Sequence, residues 1–322
     1  MDQKIVFLGM GGTIAGKASS PDDNVGYKAA QLSVQDLLAA IPALAIALGD
    51  CVAVAEQVAQ LDSKDMHHPA WTALAQRALH YLEMPDVAGL VVTHGTDTLE
   101  ETAYFLSRVL PRAVVGAKPV VMTCAMRPAT AHSPDGPQNL ADAVAVARSP
   151  GARGVLVVCA GVIHDAQHVL KVHPYRLNPF DSGEAGPLGF VEEGVARILH
   201  GWPDAGAAIA LMDELAAPQW PRVEVVLSHA GASGTMIRSM VAHPGDTPVR
   251  GIVVAGTGNG SIHQDMEVAL REAQSQGVKV MRTTRCAQGQ IVGSPRGDTS
   301  HFGITALDPF KARIALMLDL MV

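Results

Sequence analysis

Ile5-Val6-Phe7-Leu8-Gly9-Met10-Gly11-Gly12-Thr13-Ile14-Ala15-Gly16-Lys17 stands almost at the start of the chain. Four apolar residues run without a polar interruption, then give way to glycines set around one threonine. An unbroken apolar run of this length suits a parallel strand covered on both faces. The glycines after it suit a turn in which a ligand can approach the backbone closely. In parallel α/β sheets, ligands bind beyond the carboxyl ends of the strands. The opening segment therefore marks a fold class and a candidate site together.

The same punctuation recurs along the chain. Strands are expected at Ile5–Leu8, Val52–Val58, Gly89–Val92, Val120–Thr123 and Val155–Cys159, and later at Val223–Leu227, Ile252–Ala255 and Val278–Met281. Trp71, Leu74, Ala75, Ala78, Leu79 and Leu82 fall on one helical face. Further helices are expected over Thr98–Leu110, Asn139–Arg148, Ile262–Gln276 and Pro309–Met321. Strand–helix alternation predicts an α/β protein with parallel sheets. From Asn178 to Gln219, Gly183, Gly186, Pro187, Gly189, Gly201, Pro203 and Pro218 break the periodicity. The middle of that stretch reads as the connection between two α/β domains, giving residues 1–190, a linker at 191–221, and residues 222–322.

Bulk properties fit two domains. The chain has 322 residues, more than one ordinary core supports. Apolar residues make up 48% and charged residues 17%, which excludes a disordered chain. Aromatics are 4%, so the core is built from Val, Ala, Leu, Ile and Met. The net charge is −7 and no basic cluster stands out, so no nucleic-acid partner is expected. No apolar stretch approaches the ~20 residues of a membrane helix, so no membrane partner is expected either. No charged segment with an apolar run precedes the first strand, and a cytoplasmic location is expected. Cys51, Cys124, Cys159 and Cys286 are widely spaced, and the first three lie in or beside apolar runs. Reduced, buried thiols are expected.

Four loops follow strands and are candidates for chemistry: the glycine loop around Thr13, Thr93-His94-Gly95-Thr96-Asp97-Thr98, a polar loop reaching Lys171, and Gly256-Thr257-Gly258-Asn259-Gly260. Gly11-x4-Gly16-Lys17 matches most of a phosphate-binding loop, but Ala18 stands where a magnesium-binding hydroxyl belongs, and loop residues follow instead of a helix. Ile14 breaks the dinucleotide fingerprint. No nucleotide cofactor is therefore expected. Asp97-Thr98-Leu99-Glu100 reads as a capping box with Asp97 as N-cap. A helix start also offers N–H groups to a carboxylate or an oxyanion. His164 and His168 share the spacing of a zinc helix, but Asp165 replaces the glutamate base and Pro174 follows, so no metal is expected.

Taken together, Gly11-Gly12-Thr13-Ile14-Ala15-Gly16 and His94-Gly95-Thr96-Asp97-Thr98-Leu99-Glu100-Glu101-Thr102-Ala103-Tyr104 resemble the two signature segments of bacterial-type L-asparaginases. The resemblance continues in Asp62-Ser63-Lys64-Asp65-Met66, Lys171, Gly186-Pro187-Leu188-Gly189 and Gly256–Gly260, in order along nearly the whole chain. It implies a larger N-terminal catalytic α/β domain and a smaller C-terminal one, assembled as a homotetramer of tight dimers. It implies hydrolysis of L-asparagine to aspartate and ammonia through a threonine acyl-enzyme, with glutaminase side activity and no cofactor. By resemblance Thr13 is the nucleophile and Tyr27 its supporting tyrosine. Thr96, Asp97 and Lys171 form a second triad. Gly12, Asp62, Ser63, Gly95, Thr96, Asp97 and Asn259 line the substrate. Within that set, Ser63 meets the α-carboxylate, Asp97 the α-ammonium, and Asn259 comes from a neighbouring subunit.

Elementary chemistry is consistent with these roles. A threonine hydroxyl needs a proton acceptor before it attacks. A lysine with a destabilised ammonium, oriented by an aspartate, is one such acceptor. Attack on an amide creates an oxyanion, which backbone N–H groups at Thr96 and the glycine loop would stabilise. Two positions depart from the family pattern. Lys64 stands where periplasmic members carry glutamine, and Gly289–Asp298 shows no match for their C-terminal glutamate. Asparagine-versus-glutamine preference is left open by these departures. Two other readings remain: an asparagine sensor without catalysis on the same scaffold, and the asparaginase-like subunit of a tRNA-dependent amidotransferase, for which this chain has no extension to spare.

Overall fold

The computed structural model describes residues 2–204, 212, 214–216, 219–243, 245–293 and 302–322. It divides into two compact units, Met1–Met212 and Asp213–Val322. The first unit holds β1 (Lys4–Gly11), α1 (Val34–Ala39), α2 (Ala43–Leu48), β2 (Val52–Leu61), α3 (His68–Leu82), β3 (Val87–Thr93), α4 (Leu99–Val109), α5 (Arg112–Val115), β4 (Pro119–Thr123), α6 (Gly136–Ala147), β5 (Gly154–Cys159), β6 (Val162–Asp165), β7 (Leu170–Lys171), β8 (Phe180–Asp181), β9 (Gly189–Glu192) and β10 (Val195–Ile198). The second holds β11 (Arg222–Leu227), α7 (Thr235–Ala242), β12 (Val249–Gly256), α8 (Gln264–Ser275), β13 (Lys279–Thr284), β14 (Gly303–Ile304) and α9 (Pro309–Asp319).

The larger sheet has the order β10-β9-β6-β5-β4-β3-β1-β2. Strands β2, β1, β3, β4 and β5 are parallel; β6, β9 and β10 continue the sheet antiparallel. From β1 the chain moves outward to β2, then crosses to the other side of β1 for β3. That reversal opens a crevice beyond the carboxyl ends of β1 and β3, where such sheets bind ligands. The register holds the two strands level, with Leu8 opposite Val92 and Gly9 opposite Thr93. Both loops therefore leave the sheet at one height.

The unbroken apolar runs are explained by cover on both faces. Ile5 and Phe7 pack with Val34 and Leu37 of α1, Leu44 of α2, and Leu140 and Val144 of α6. Val6 and Leu8 point the other way, toward the face on which α3 lies against β1, β2 and β3. Trp71 of α3 stacks on Phe105 of α4, with ring centroids 4.9 Å apart. Burying one Leu- or Val-sized side chain contributes roughly 1.5–3 kcal/mol, so β1 is anchored far more firmly than the loop it delivers. The smaller sheet, β11-β12-β13-β14, is parallel, with α7 and α8 packed on Val226, Ile252 and Val254.

The eight expected strands are all present, most of them longer than their apolar runs. The expected helices are present with shifted ends. The stretch after β5 is not a simple polar loop. It turns back as β6, carries Lys171 on β7 paired with β8, and returns as the β9–β10 hairpin inside the larger sheet. His164 lies on strand β6 and His168 in the turn after it, so no helix brings the two together. Among the described residues, no cluster of metal-ligating side chains occurs, and no helix is long and apolar enough to cross a membrane. Cys124 and Cys159 are buried thiols, Cys51 is half-buried and Cys286 is exposed; all are free.

Candidate active site

Thr13 sits one residue past two glycines in left-handed backbone, Gly11 at φ +98° and Gly12 at φ +82°. A Cβ on Gly12 would lie 2.3 Å from the Gly95 nitrogen, so the two signature loops touch through bare backbone. Gly95 is constrained in turn, since its Cβ would meet Ser63 Oγ at 2.4 Å. These close approaches are the physical reason for glycine at both positions. Between them the loops place Thr13, 7% exposed, beside Ser63, 2% exposed, and Thr96, 5% exposed.

Thr13 Oγ1 is 2.6 Å from the hydroxyl of Tyr27. Tyr27 is carried by a loop whose ends are closed by paired backbone hydrogen bonds between Lys17 and Lys28, both 2.9 Å. Burial raises the Tyr27 phenol above its ordinary range, opposed by the hydrogen bond to Thr13 and reinforced by the negative charges of Asp62 and Asp97. Tyr27 is therefore a neutral phenol at physiological pH.

On the facing side, Lys171 Nζ donates to Thr96 Oγ1 at 2.8 Å and to Asp97 Oδ1 at 2.6 Å. Its side chain is 15% exposed, so it is not the solvated lysine that its loop setting suggests. Ser63 Oγ accepts from the Asp97 N–H at 3.1 Å, and Thr98 Oγ1 donates to the Ser63 carbonyl at 2.8 Å. Two hydrogen bonds thus staple the Ser63 segment to the start of α4. Asp62 caps the short turn Ser63–Asp65, accepting from the Lys64 N–H at 3.4 Å.

The capping reading of Asp97 is corrected. The N-cap of α4 is Thr98, and no side chain caps the helix. The Asp97 carboxylate is taken by an ammonium 74 residues away, a stronger partner than a backbone N–H. Glu100 and Glu101 still occupy the first turn, where the helix dipole favours them.

Sequence reasoning missed what holds the second loop rigid. His94 is fully buried, with Nδ1 2.8 Å from the Gly95 carbonyl and Nε2 3.0 Å from Thr102 Oγ1. Trp71 Nε1 donates to that same Thr102 oxygen at 2.8 Å. Only one assignment satisfies every group: Trp71 N–H to Thr102, Thr102 O–H to His94 Nε2, and His94 Nδ1–H to Gly95. It needs a neutral imidazole, and burial does push the His94 pKa down to about 4. The spacing of His94 and Thr102 across the helix start was visible, but nothing local ties either to Trp71. Asn259, the remaining candidate, belongs to the second unit. Its amide donates to the Val292 carbonyl at 2.9 Å and accepts the Val292 N–H at 2.7 Å. Of the loop Gly289–Asp298, positions 294–298 lie outside the described residues.

Comparison with known proteins adds the family. Residues 4–202 match the family described as Asparaginase, N-terminal, and residues 222–321 match the Glutaminase/Asparaginase C-terminal domain. The chain is 36% identical to L-asparaginase 2 of Bacillus subtilis, an alignment covering 98% of this chain and 82% of that protein. It is 35% identical to the glutaminase-asparaginase of Pseudomonas fluorescens, covering 98% and 86%. The crystal structure of a probable cytoplasmic L-asparaginase from Campylobacter jejuni matches with a TM-score of 0.88 at 34% identity, covering 99% of this chain and 95% of that one. Signature loops, sheet order and full-length similarity agree, and the chain belongs to the asparaginase family.

Proposed function

We propose that this protein is an L-asparagine amidohydrolase that forms an acyl-enzyme on Thr13 and releases ammonia and then aspartate, with glutamine as a slower second substrate. The observation that carries this reading is the pairing of two buried hydroxyls across the Gly12–Gly95 contact, one bound to a phenol and the other to a lysine. Thr13 Oγ1 attacks the side-chain amide carbon and passes its proton to the Tyr27 oxygen. Tyr27, kept neutral by burial, hands its own proton to the departing amine. Backbone N–H groups of the glycine loop and of Thr96 face the oxyanion. Lys171 donates to Thr96, which orients the Thr96 O–H toward the water that hydrolyses the ester. Asp97 holds Lys171 and receives the substrate's α-ammonium, while Ser63 meets its carboxylate.

The same reading includes a homotetramer built from tight dimers, with Asn259 supplied by a neighbouring subunit, and a cytoplasmic location like that named for the Campylobacter jejuni structure. A monomer mass by light scattering would reject that assembly. The catalytic reading is tested by ammonia release from L-asparagine and L-glutamine. Wild type is expected to release ammonia from asparagine, and the rate with glutamine sets the preference. Thr13→Ala loses roughly 10³-fold or more, and Lys171→Met roughly 10²–10⁴-fold. A wild-type protein that binds asparagine but releases no ammonia is a sensor, and the proposal fails.

A further inference from the structure

Residues 166–181 run out from the larger sheet after β6 and carry Lys171 to Thr96 and Asp97. The strands that hold the lysine there, β7 and β8, are two residues each, with Lys171 opposite Phe180 and Leu170 opposite Asp181. A slip of one residue in so short a pair moves the backbone about 3.3 Å and turns the side chain to the other face. Either displacement takes Nζ away from both oxygens. The base of this excursion is closed by side chains. His164 Nδ1, on β6, lies 2.8 Å from Oγ of Ser182, the residue after β8. Both residues are buried. Ser182 precedes the short helical turn Gly183–Ala185 without capping it, and Asp181 Oδ1 takes the Gly183 N–H at 2.6 Å, which leaves the Ser182 hydroxyl to His164. His164 Nε2 meets no hydrogen-bond partner among the described residues. Leucine would fill the same buried space; what the imidazole adds is its bond to Ser182.

We propose that His164 and Ser182 are positioning residues for Lys171: their buried hydrogen bond pins the end of β8 to β6 and, through the β7–β8 pairing, fixes where the lysine meets Thr96 and Asp97. This inference rests on the amidohydrolase reading and deepens it, because in that reading Lys171 orients the Thr96 hydroxyl toward the water that opens the ester. Both residues act through Lys171 and neither on the reacting atoms. Weakening the pin therefore slows hydrolysis of the acyl-enzyme and spares its formation. The ratio kcat/KM reports the steps up to ammonia release, whereas kcat follows ester hydrolysis once that step is limiting. The two constants kcat and KM then fall together. A general loosening of the fold gives a different pattern, since it lowers kcat/KM as well. Burial keeps the imidazole neutral, against the charge of Asp181, so a neutral amide can take its place.

The test is steady-state hydrolysis of L-asparagine by the full-length protein, with acid-quench trapping of the Thr13 ester alongside. In His164→Leu and in Ser182→Ala, kcat is expected to fall roughly 10- to 100-fold, the loss that a displacement of about 1 Å brings. In both, kcat/KM stays within about threefold of wild type and the Thr13 ester accumulates. His164→Asn, whose amide reaches the Nδ1 position, recovers most of the loss. An unchanged kcat in both variants overturns the proposal. So does a kcat/KM that falls in step with kcat while no ester accumulates, which is the mark of a role in the fold alone. Circular dichroism follows the fold, and if His164→Leu does not fold, Ser182→Ala carries the comparison by itself. Absence of ammonia release by wild type is a separate result, which defeats the amidohydrolase reading itself. Limited acetylation with acetic anhydride, mapped by peptide mass, then reads the positioning directly. Lys171 is expected to be labelled severalfold faster in Ser182→Ala than in wild type, and equal labelling overturns the proposal.

Discussion

Thr13 and Thr96 are one residue type given two environments, and the difference is set by what each hydroxyl touches. Thr13 meets a buried phenol, Thr96 an ammonium. Tyr27→Phe removes the relay oxygen while keeping the ring, so kcat is expected to fall by roughly 10²-fold or more with little change in binding. The pH profile checks the same point. The phenol is raised above 10.0, so wild-type activity gains nothing from phenolate below that pH, and an alkaline rise in rate with an inflection near neutrality would contradict the relay. Gly12→Ala places a carbon 2.3 Å from the Gly95 nitrogen in backbone at φ +82°. Activity is expected to fall more than 100-fold, read by ammonia release beside circular dichroism to follow the fold. At this scale the sequence was legible wherever side-chain types cluster in one loop, as at Thr13 and at Thr96-Asp97. It misled at Asp97 itself, because a capping rule sees four consecutive residues and cannot see Lys171.

Elements were legible in proportion to their burial. β1, β3, β4 and β5 are continuous apolar runs because helices cover both their faces, and all were expected. Strands β6 to β10 are two to four residues long and, β6 apart, hold at most one buried residue each, so neither periodicity nor an apolar run announces them. β10 alternates exposed Val195 and Arg197 with half-buried Ala196 and Ile198, a pattern too short to separate from a loop. Lys171 was thus assigned to a loop although it belongs to a strand pair. The tie between α3, α4 and the His94–Thr98 loop also lies at this scale. Thr102→Val removes the acceptor for Trp71 Nε1–H and the donor to His94 Nε2 together. Each orphaned buried group costs about 1–3 kcal/mol, and urea unfolding is expected to show a loss of that order. A Thr102→Val protein as stable as wild type would show that the Trp71–Thr102–His94 chain does not hold the loop.

At the scale of the whole molecule, two histidines among the described residues are buried as neutral rings. Burial lowers both His94 and His164 from 6.5 to about 4. Between those values the unfolded chain binds protons that the folded chain refuses, so stability rises with pH across the window and is lost as pH falls through it. Glu56 adds in the same direction at lower pH, since Arg77 holds its carboxyl below the usual range. Thermal midpoints are expected to be level from pH 7 to 8 and to drop between pH 6.5 and 4; a flat profile down to pH 4 would show that the two rings are not buried neutral. The presence of two α/β units was legible from two strand–helix series, but the expected linker at 191–221 began too early, because β9 and β10 belong to the larger sheet and the first unit runs to Met212. What lay beyond reach was the antiparallel extension of the larger sheet, whose pairing depends on contacts remote in sequence.

The claim that most directly stands or falls is the covalent role of Thr13. Protein quenched in acid during turnover of L-asparagine, digested and weighed, is expected to carry an aspartyl ester on the peptide holding Thr13, more of it in Lys171→Met and none in Thr13→Ala. An ester on another residue, or continued ammonia release by Thr13→Ala, would contradict the account.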